Sequence, residues 1–152
     1  MHVEVDQSGK IEDTRVDTVL AFSDGMNYAI LIPAKVKRIV TEQLRGRDKT
    51  KRGITLLLFS ACLFLLLRDH LKQIERVTID VEYLGKDADI RGNLLYHIYR
   101  HGLMLHKDQI AFRPLGKRSP AHTRALAIYR GEYKPNRRIT TDELSELLGF
   151  IQ

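Results

Sequence analysis

Fourteen consecutive residues, Ile54-Thr55-Leu56-Leu57-Leu58-Phe59-Ser60-Ala61-Cys62-Leu63-Phe64-Leu65-Leu66-Leu67, carry no charged side chain and are bracketed by Arg52-Gly53 and Arg68-Asp69. A segment apolar nearly all round its helical surface must be covered on most sides. A spanning helix needs about 20 such residues, and a run of roughly 10 to 14 is the signature of a buried core helix. The run therefore predicts a helix over 54–74 lying across a sheet, with no membrane passage. Its alternative use is as a contact with a second copy of the chain, which would make the protein a homo-oligomer or assembly protein.

The rest of the chain supplies the sheet. Val3 and Val5 alternate with Glu4 and Asp6, and Gln7-Ser8-Gly9-Lys10 then turns the chain. Thr18 to Phe22 and Tyr28 to Ile32 read as two further strands, with Asp24-Gly25 between them as a hairpin signal. After Pro33, Val36, Ile39, Val40 and Leu44 recur at helical spacing and predict a helix over 34–45, followed by a basic turn from Gly46 to Gly53. Val77 to Tyr83 alternates strictly, with Val77, Ile79 and Val81 on one face and Asp80 and Glu82 on the other. Ile90, Leu94, Leu95 and Ile98 mark a helix over 87–101, and 109–112 a short strand. Ser119, Pro120 and Gly131 punctuate a helix as N-cap, first helical residue and stop. Thr140-Thr141-Asp142-Glu143 has the form of a capping box for a last helix with Leu144, Leu147 and Leu148 inward. The expectation is one α/β domain over 1–152, in which an antiparallel three-strand meander is followed by alternating helices and strands.

Length makes that core feasible, since a chain of 152 residues with 43% hydrophobic composition can bury about 70% of its unfolded surface. Cys62 stands alone, which excludes an internal disulfide and a Cys-only zinc site, so the expected setting is intracellular and cytoplasmic. The N-terminus has neither the basic nor the apolar region of a secretory signal. The formal net charge is +6, and it is segregated. Lys35, Lys37, Arg38, Arg45, Arg47, Lys49, Lys51 and Arg52 stand against Glu42 and Asp48. Arg113, Lys117, Arg118, Arg124, Arg130, Lys134, Arg137 and Arg138 stand against Glu132. Each block exceeds or equals the whole chain's excess, so the remainder is acidic. Basic blocks beside carboxylates suit a protein that holds a polyphosphate backbone next to acidic chemistry.

The order of these elements, with Val5-Asp6-Gln7-Ser8-Gly9 on the first strand, Asp80 on the fourth and Ala121-His122 at the start of the helix after the fifth, resembles the ribonuclease H-like superfamily over about residues 3 to 131. The opening is most similar to the Asp-Glu-Ser-Gly start of uncharacterised bacterial and archaeal ribonuclease H-like domains, with Gln7 in place of glutamate. His122 falls where Piwi-type and some RuvC-type nucleases have a histidine. The resemblance implies a mixed five-stranded sheet and metal-dependent cleavage of nucleic acid phosphodiesters, with Asp6, Asp80 and His122 at the site.

Such chemistry uses carboxylates that hold two divalent ions about 4 Å apart. Asp6 and Asp80 are out of phase with the valines of their own strands and would share a polar face if the two strands pair; Glu4 and Glu82 keep that phase. Asp6, Asp80 and Glu82 are the expected metal ligands, and oxygen donors of this kind suit Mg²⁺ or Mn²⁺. The remaining carboxylate is expected from Glu42, with Asp69 as the alternative. Lys117, Arg118 and Arg124, together with Arg47, Lys49 and Lys51, would position nucleic acid phosphates, with Tyr129 and Tyr133 the nearest aromatic rings for stacking. The competing expectation is a non-catalytic nucleic-acid-binding module on the same fold. His97 and His101 have zinc-compatible i, i+4 spacing but no evident third ligand.

Overall fold

A computed structural model describes residues 1–23, 26–47 and 50–150. The strands are β1 (His2–Ser8), β2 (Thr18–Ser23), β3 (Asn27–Ile32), β4 (Arg76–Asp80), β5 (Ile110–Arg113) and a two-residue β6 (Arg137–Arg138). The helices are α1 (Ala34–Arg45), α2 (Lys51–Leu67), α3 (Asp87–Arg100), α4 (Pro120–Tyr129) and α5 (Thr141–Leu147). They build one mixed α/β sheet in the order β5-β4-β1-β2-β3-β6. β1, β2 and β3 pair antiparallel as a meander, whereas β4 joins β1, β5 joins β4 and β6 joins β3 in parallel. The sheet therefore has six strands where five were expected. The additional one is too short to carry a periodic signal, and Asn136 fastens it by accepting from the Ala29 amide at 2.9 Å. The Asp24-Gly25 hairpin signal lies outside the described residues.

Strand alternation divides the sheet into two faces. Val3, Val5, Leu20, Phe22, Ile30, Ile32, Val77 and Ile79 point into the main core, where they meet α1, α2, α3 and α5. Within that core Phe59, Ala61, Cys62, Leu63, Phe64, Leu65, Leu66 and Leu67 are all at most 2% exposed. By length and composition Lys51–Gln73 could cross a membrane, yet 72% of its apolar window is buried inside the molecule. The run is thus covered within one chain, and its burial gives no reason to invoke a second copy. Cys62 is wholly enclosed there, and desolvation pushes its thiol up to about 12.

The helix starts at Lys51 rather than Ile54, because the Thr50 hydroxyl accepts from the Gly53 amide at 3.0 Å and caps it. Regular α-helix ends at Leu67, and Arg68–Gln73 tightens into a 3₁₀ segment before Ile74 extends toward β4. β4 likewise stops at Asp80. The Val81 amide still donates to the Arg113 carbonyl at 3.3 Å, but the ladder ends there and Tyr83 packs edge-on against Phe59, ring centroids 5.1 Å apart.

On the opposite face α4 packs over β1, β2 and β3. Ala21, Ala29 and Ala125 let it approach closely, and with Val19, Leu31 and Ile128 they form a small separate apolar cluster. The N-cap position is Ser119 and the first helical residue Pro120, as the punctuation predicts, but the Ser119 hydroxyl does not cap the helix. It donates instead to Glu4 Oε1 at 2.9 Å. α4 runs alongside β1 until Tyr129 meets Gly9, whose φ is +77° and where a Cβ would stand 2.1 Å from the Asp17 carbonyl oxygen. Glycine is required at that turn on both counts. The capping box at Thr140 and Glu143 forms as read from the sequence.

Candidate metal and phosphodiester site

Parallel pairing of β1 with β4 places Val5 beside Ile79, so Asp6 and Asp80, one step further on, emerge together on the α4 face. Among the described residues, Asp6, Asp80 and Glu82 offer carboxylate oxygens that all lie within 4.8 Å of one another. Glu82 reaches this group from beyond the end of β4, keeping the outward phase of the strand after its ladder has stopped. Asp6 is 5% exposed. Its Oδ1 accepts from the Gln7 amide at 2.8 Å, and its Oδ2 lies 2.8 Å from Nδ1 of His122 on α4, a pairing in which the imidazole N–H donates to the carboxylate. Asp80 Oδ1 accepts from the Leu115 amide at 2.8 Å, which draws the Leu115–Arg118 turn to the edge of the cluster.

These interactions fix Asp6 and Asp80 in place. Burial pushes the Asp6 carboxyl above its ordinary value despite the opposing hydrogen bonds from His122 and Gln7. Glu82 is pushed up to about 7, first by desolvation and then by its contact with Asp80 and the charge of Asp6. A divalent cation bound among the three carboxyl groups would favour their charged forms. Hard oxygen donors of this number and spacing fit Mg²⁺ or Mn²⁺.

The cluster joins the Asp6, Asp80 and Glu82 of the sequence reading and adds His122 beside Asp6. Glu42 does not belong to it. That residue is exposed on α1 and pairs with Arg45 one turn away. Asp69 lies on the 3₁₀ segment after α2, 3.8 Å from Arg68. Both belong to elements on the other face of the sheet, and helical spacing could not reveal which face they would occupy. His97 and His101 form no metal cluster among the described residues; His101 Nδ1 contacts the His97 carbonyl at 2.8 Å.

The basic blocks are divided by the fold. Lys37 is fully buried, with Nζ donating to the carbonyls of Lys10 and Asp13 and to the Thr18 hydroxyl at 3.2, 2.7 and 2.8 Å. Desolvation pulls its ammonium down to about 8. Arg47 donates to the carbonyls of Leu148 and Gly149, 3.0 Å each, and covers the Phe150 ring. It therefore caps the end of α5, a correction to its expected place on a phosphate track. Lys51 is exposed at the start of α2 and lines a cleft with Glu12, Arg45 and Thr55; Lys49 lies outside the described residues. In the second block Arg137 is held by Glu143. Lys117 and Arg118 remain exposed beside the Asp80 turn, and Arg124 lies on α4.

Several residues of the site were not legible beforehand. Beside α4 the uncovered face of β1, β4 and β5 forms a cavity of about 390 Å³ lined by Glu4, Arg76, Thr78, Arg113 and Pro120. Arg113, the register partner of Asp80, marks the end of this groove nearest the acidic cluster. Gln7 donates to Tyr83 Oη at 3.3 Å, and Tyr83 donates to Glu12 at 2.9 Å. The alternation of Arg76 and Thr78 against Val77 was a usable signal for the groove; the Gln7–Tyr83–Glu12 chain had none, since its members are brought together only by folding. Compared with family profiles, with curated proteins and with solved structures, the chain has no match.

Proposed function

We propose that this protein is a metal-dependent nuclease-like protein of the ribonuclease H-like fold, acting on nucleic acid phosphodiester bonds. The observation that carries the reading is the convergence of Asp6, Asp80 and Glu82 within 4.8 Å, with His122 on Asp6 at 2.8 Å. The strand order β5-β4-β1-β2-β3, its antiparallel meander and its two parallel additions support the fold assignment, and β6 extends it.

Asp6, Asp80 and Glu82 would hold Mg²⁺ or Mn²⁺, which when bound would activate water and stabilise the leaving oxygen. Asp6 is oriented from both sides, by the Gln7 amide and by His122. His122 Nδ1 is committed to Asp6, which leaves Nε2 as the atom able to exchange a proton with water or product. Lys117, on the turn that Asp80 anchors, holds a phosphate flanking the scissile bond and reads no bases, and Arg118 follows it toward the first turn of α4. Glu4 and Ser119 tie the first turn of α4 to β1 and keep His122 in register with Asp6.

Labelled DNA, RNA and hybrid substrates incubated with Mg²⁺ or Mn²⁺ test this directly. Cleavage that requires the metal and disappears in Asp6→Asn is expected. If none of the three is cut and isothermal titration finds no divalent cation bound, the catalytic reading fails. A second reading, a nucleic-acid-binding module without cleavage, draws on the placement of Glu42, which leaves three carboxylates at the cluster. Metal-independent binding unchanged in Asp6→Asn, without cleavage, would favour it.

A further inference from the structure

On the flank of α4 away from the carboxylates lies a second cavity of about 440 Å³, lined by Asn27, Arg118, Pro120, Thr123, Arg124 and Tyr133 among others, with no acidic side chain in its lining. At 100° per residue, Pro120 and Arg124 share one side of the helix and His122 lies roughly 160° from either. Tyr133 is 60% exposed, and the guanidinium carbon of Arg124 sits 5.4 Å from the centre of its ring. Arg124 Nε is shielded from solvent and has no hydrogen-bond partner among the described residues. That nitrogen is closed to a ligand as it is to water, so what the cavity presents is the outer nitrogens of its two guanidinium groups.

The lining narrows what the cavity can hold. Two guanidinium groups match phosphate oxygens, and an exposed phenol ring offers a stacking platform that accepts any base. Asn27 and Thr123 add polar groups at the rim. Pro120 and Ser23 also line the groove that holds Arg113, and Ser23 donates to Asn27 Oδ1 at 2.8 Å. The two depressions therefore adjoin across the first turn of α4.

We infer that this pocket holds one nucleotide of a single-stranded nucleic acid, its phosphate on Arg118 and Arg124 and its base on Tyr133, as the strand passes over the N-terminal end of α4. A base within a duplex keeps its faces stacked on its neighbours, so the site selects single strands. The inference rests on the nucleic-acid reading above, and it adds a strand type and a contact that cleavage alone does not require.

Fluorescence anisotropy of labelled dT12 and rU12, of a 12-base-pair duplex and of competing dTMP, all in EDTA, tests it on the full chain. Single strands should bind more tightly than duplex. Tyr133→Ala should weaken dT12 binding about tenfold, within the range measured for base–aromatic stacking, and Arg124→Ala should weaken it by a similar factor, while Tyr133→Phe binds as the wild type does. Because Tyr133 is exposed, thermal unfolding of Tyr133→Ala should match the wild type and exclude misfolding as the cause. Wild-type affinity in Tyr133→Ala, duplex bound as tightly as single strand, or displacement by dTMP at the concentration of dT12 that displaces would each overturn the pocket assignment. The two readings separate cleanly. Pocket-dependent binding without any cleavage upholds this inference and fails the catalytic one, and cleavage with KM unchanged in Tyr133→Ala does the reverse.

Discussion

Against one face of the sheet, α2 and α3 bury Phe22, Phe59, Phe64 and a continuous belt of leucines, whereas against the other α4 buries a small cluster built largely from alanines and valine. The thick face uses volume, and buried polar side chains within it such as Lys37 and Ser60 are met by backbone carbonyls. The thin face leaves β4 and β5 uncovered, and there Arg76, Asp80 and Arg113 stand, with Glu82 just past the end of β4 and Asp6 at the margin of α4. The contrast teaches that the groups with chemistry to offer sit where the sheet is least covered, with the apolar face supplying the stability that buried carboxylates subtract.

The largest effect expected from breaking this division is on the thick side. Phe64→Ala should cost about 3–5 kcal/mol, the range for deleting a fully buried ring, read as a lower midpoint in urea unfolding with an unchanged slope. A loss below about 1 kcal/mol would show that the two faces contribute alike. On the thin side, Asp6→Asn should lower metal-dependent cleavage by roughly 10²–10³-fold, about 3–4 kcal/mol in the barrier, without lowering the melting temperature. Destabilisation matching the lost activity would instead make Asp6 a structural residue.

The acidic cluster also gives the two faces different pH responses. Glu82 is raised from 4.5 to about 7 in the folded protein, so the stability linked to its neutral form is fully present below pH 4.5 and is lost as pH rises through 7. Metal-free protein should lose about 1–3 kcal/mol over that interval. Mg²⁺ should restore it at pH 8 by binding the folded state alone, and Glu82→Gln should flatten the slope. Thermal melts from pH 4 to 8 with and without Mg²⁺ measure all three, and a slope that Glu82→Gln leaves intact assigns the dependence elsewhere. The smallest effect belongs to Ser119→Ala, about 1 kcal/mol for one hydrogen bond to Glu4, with any change in cleavage appearing in kcat because His122 shifts relative to Asp6.

The basic blocks make a parallel comparison. As sequence, they are two equivalent clusters of eight basic residues. In the structure Lys37 is walled in, Arg47 closes the end of α5 and Arg137 is taken by Glu143, while Lys117, Arg118 and Arg124 remain beside or near α4. Composition established an excess of charge. Whether a given cation faces a partner or its own chain depends on carbonyls and carboxylates up to 102 positions away, which no local window contains.

What the amino-acid order determined by itself is what short-range physics encodes. The uncharged run from Ile54 to Leu67 had to become a covered helix, the alternation at Val77 to Asp80 a two-faced strand, and the Ser119-Pro120 and Thr140-Glu143 punctuation helix starts, because sterics and periodicity act within a few residues. Tertiary structure alone decided that β4 adds to β1 in parallel, that Glu82 rather than Glu42 reaches Asp6, that Ser119 reaches Glu4 instead of capping its own helix, and that Tyr133 and Arg124 share a pocket. Those outcomes depend on which elements pair and which face each helix covers, and such contacts form only when the whole core closes.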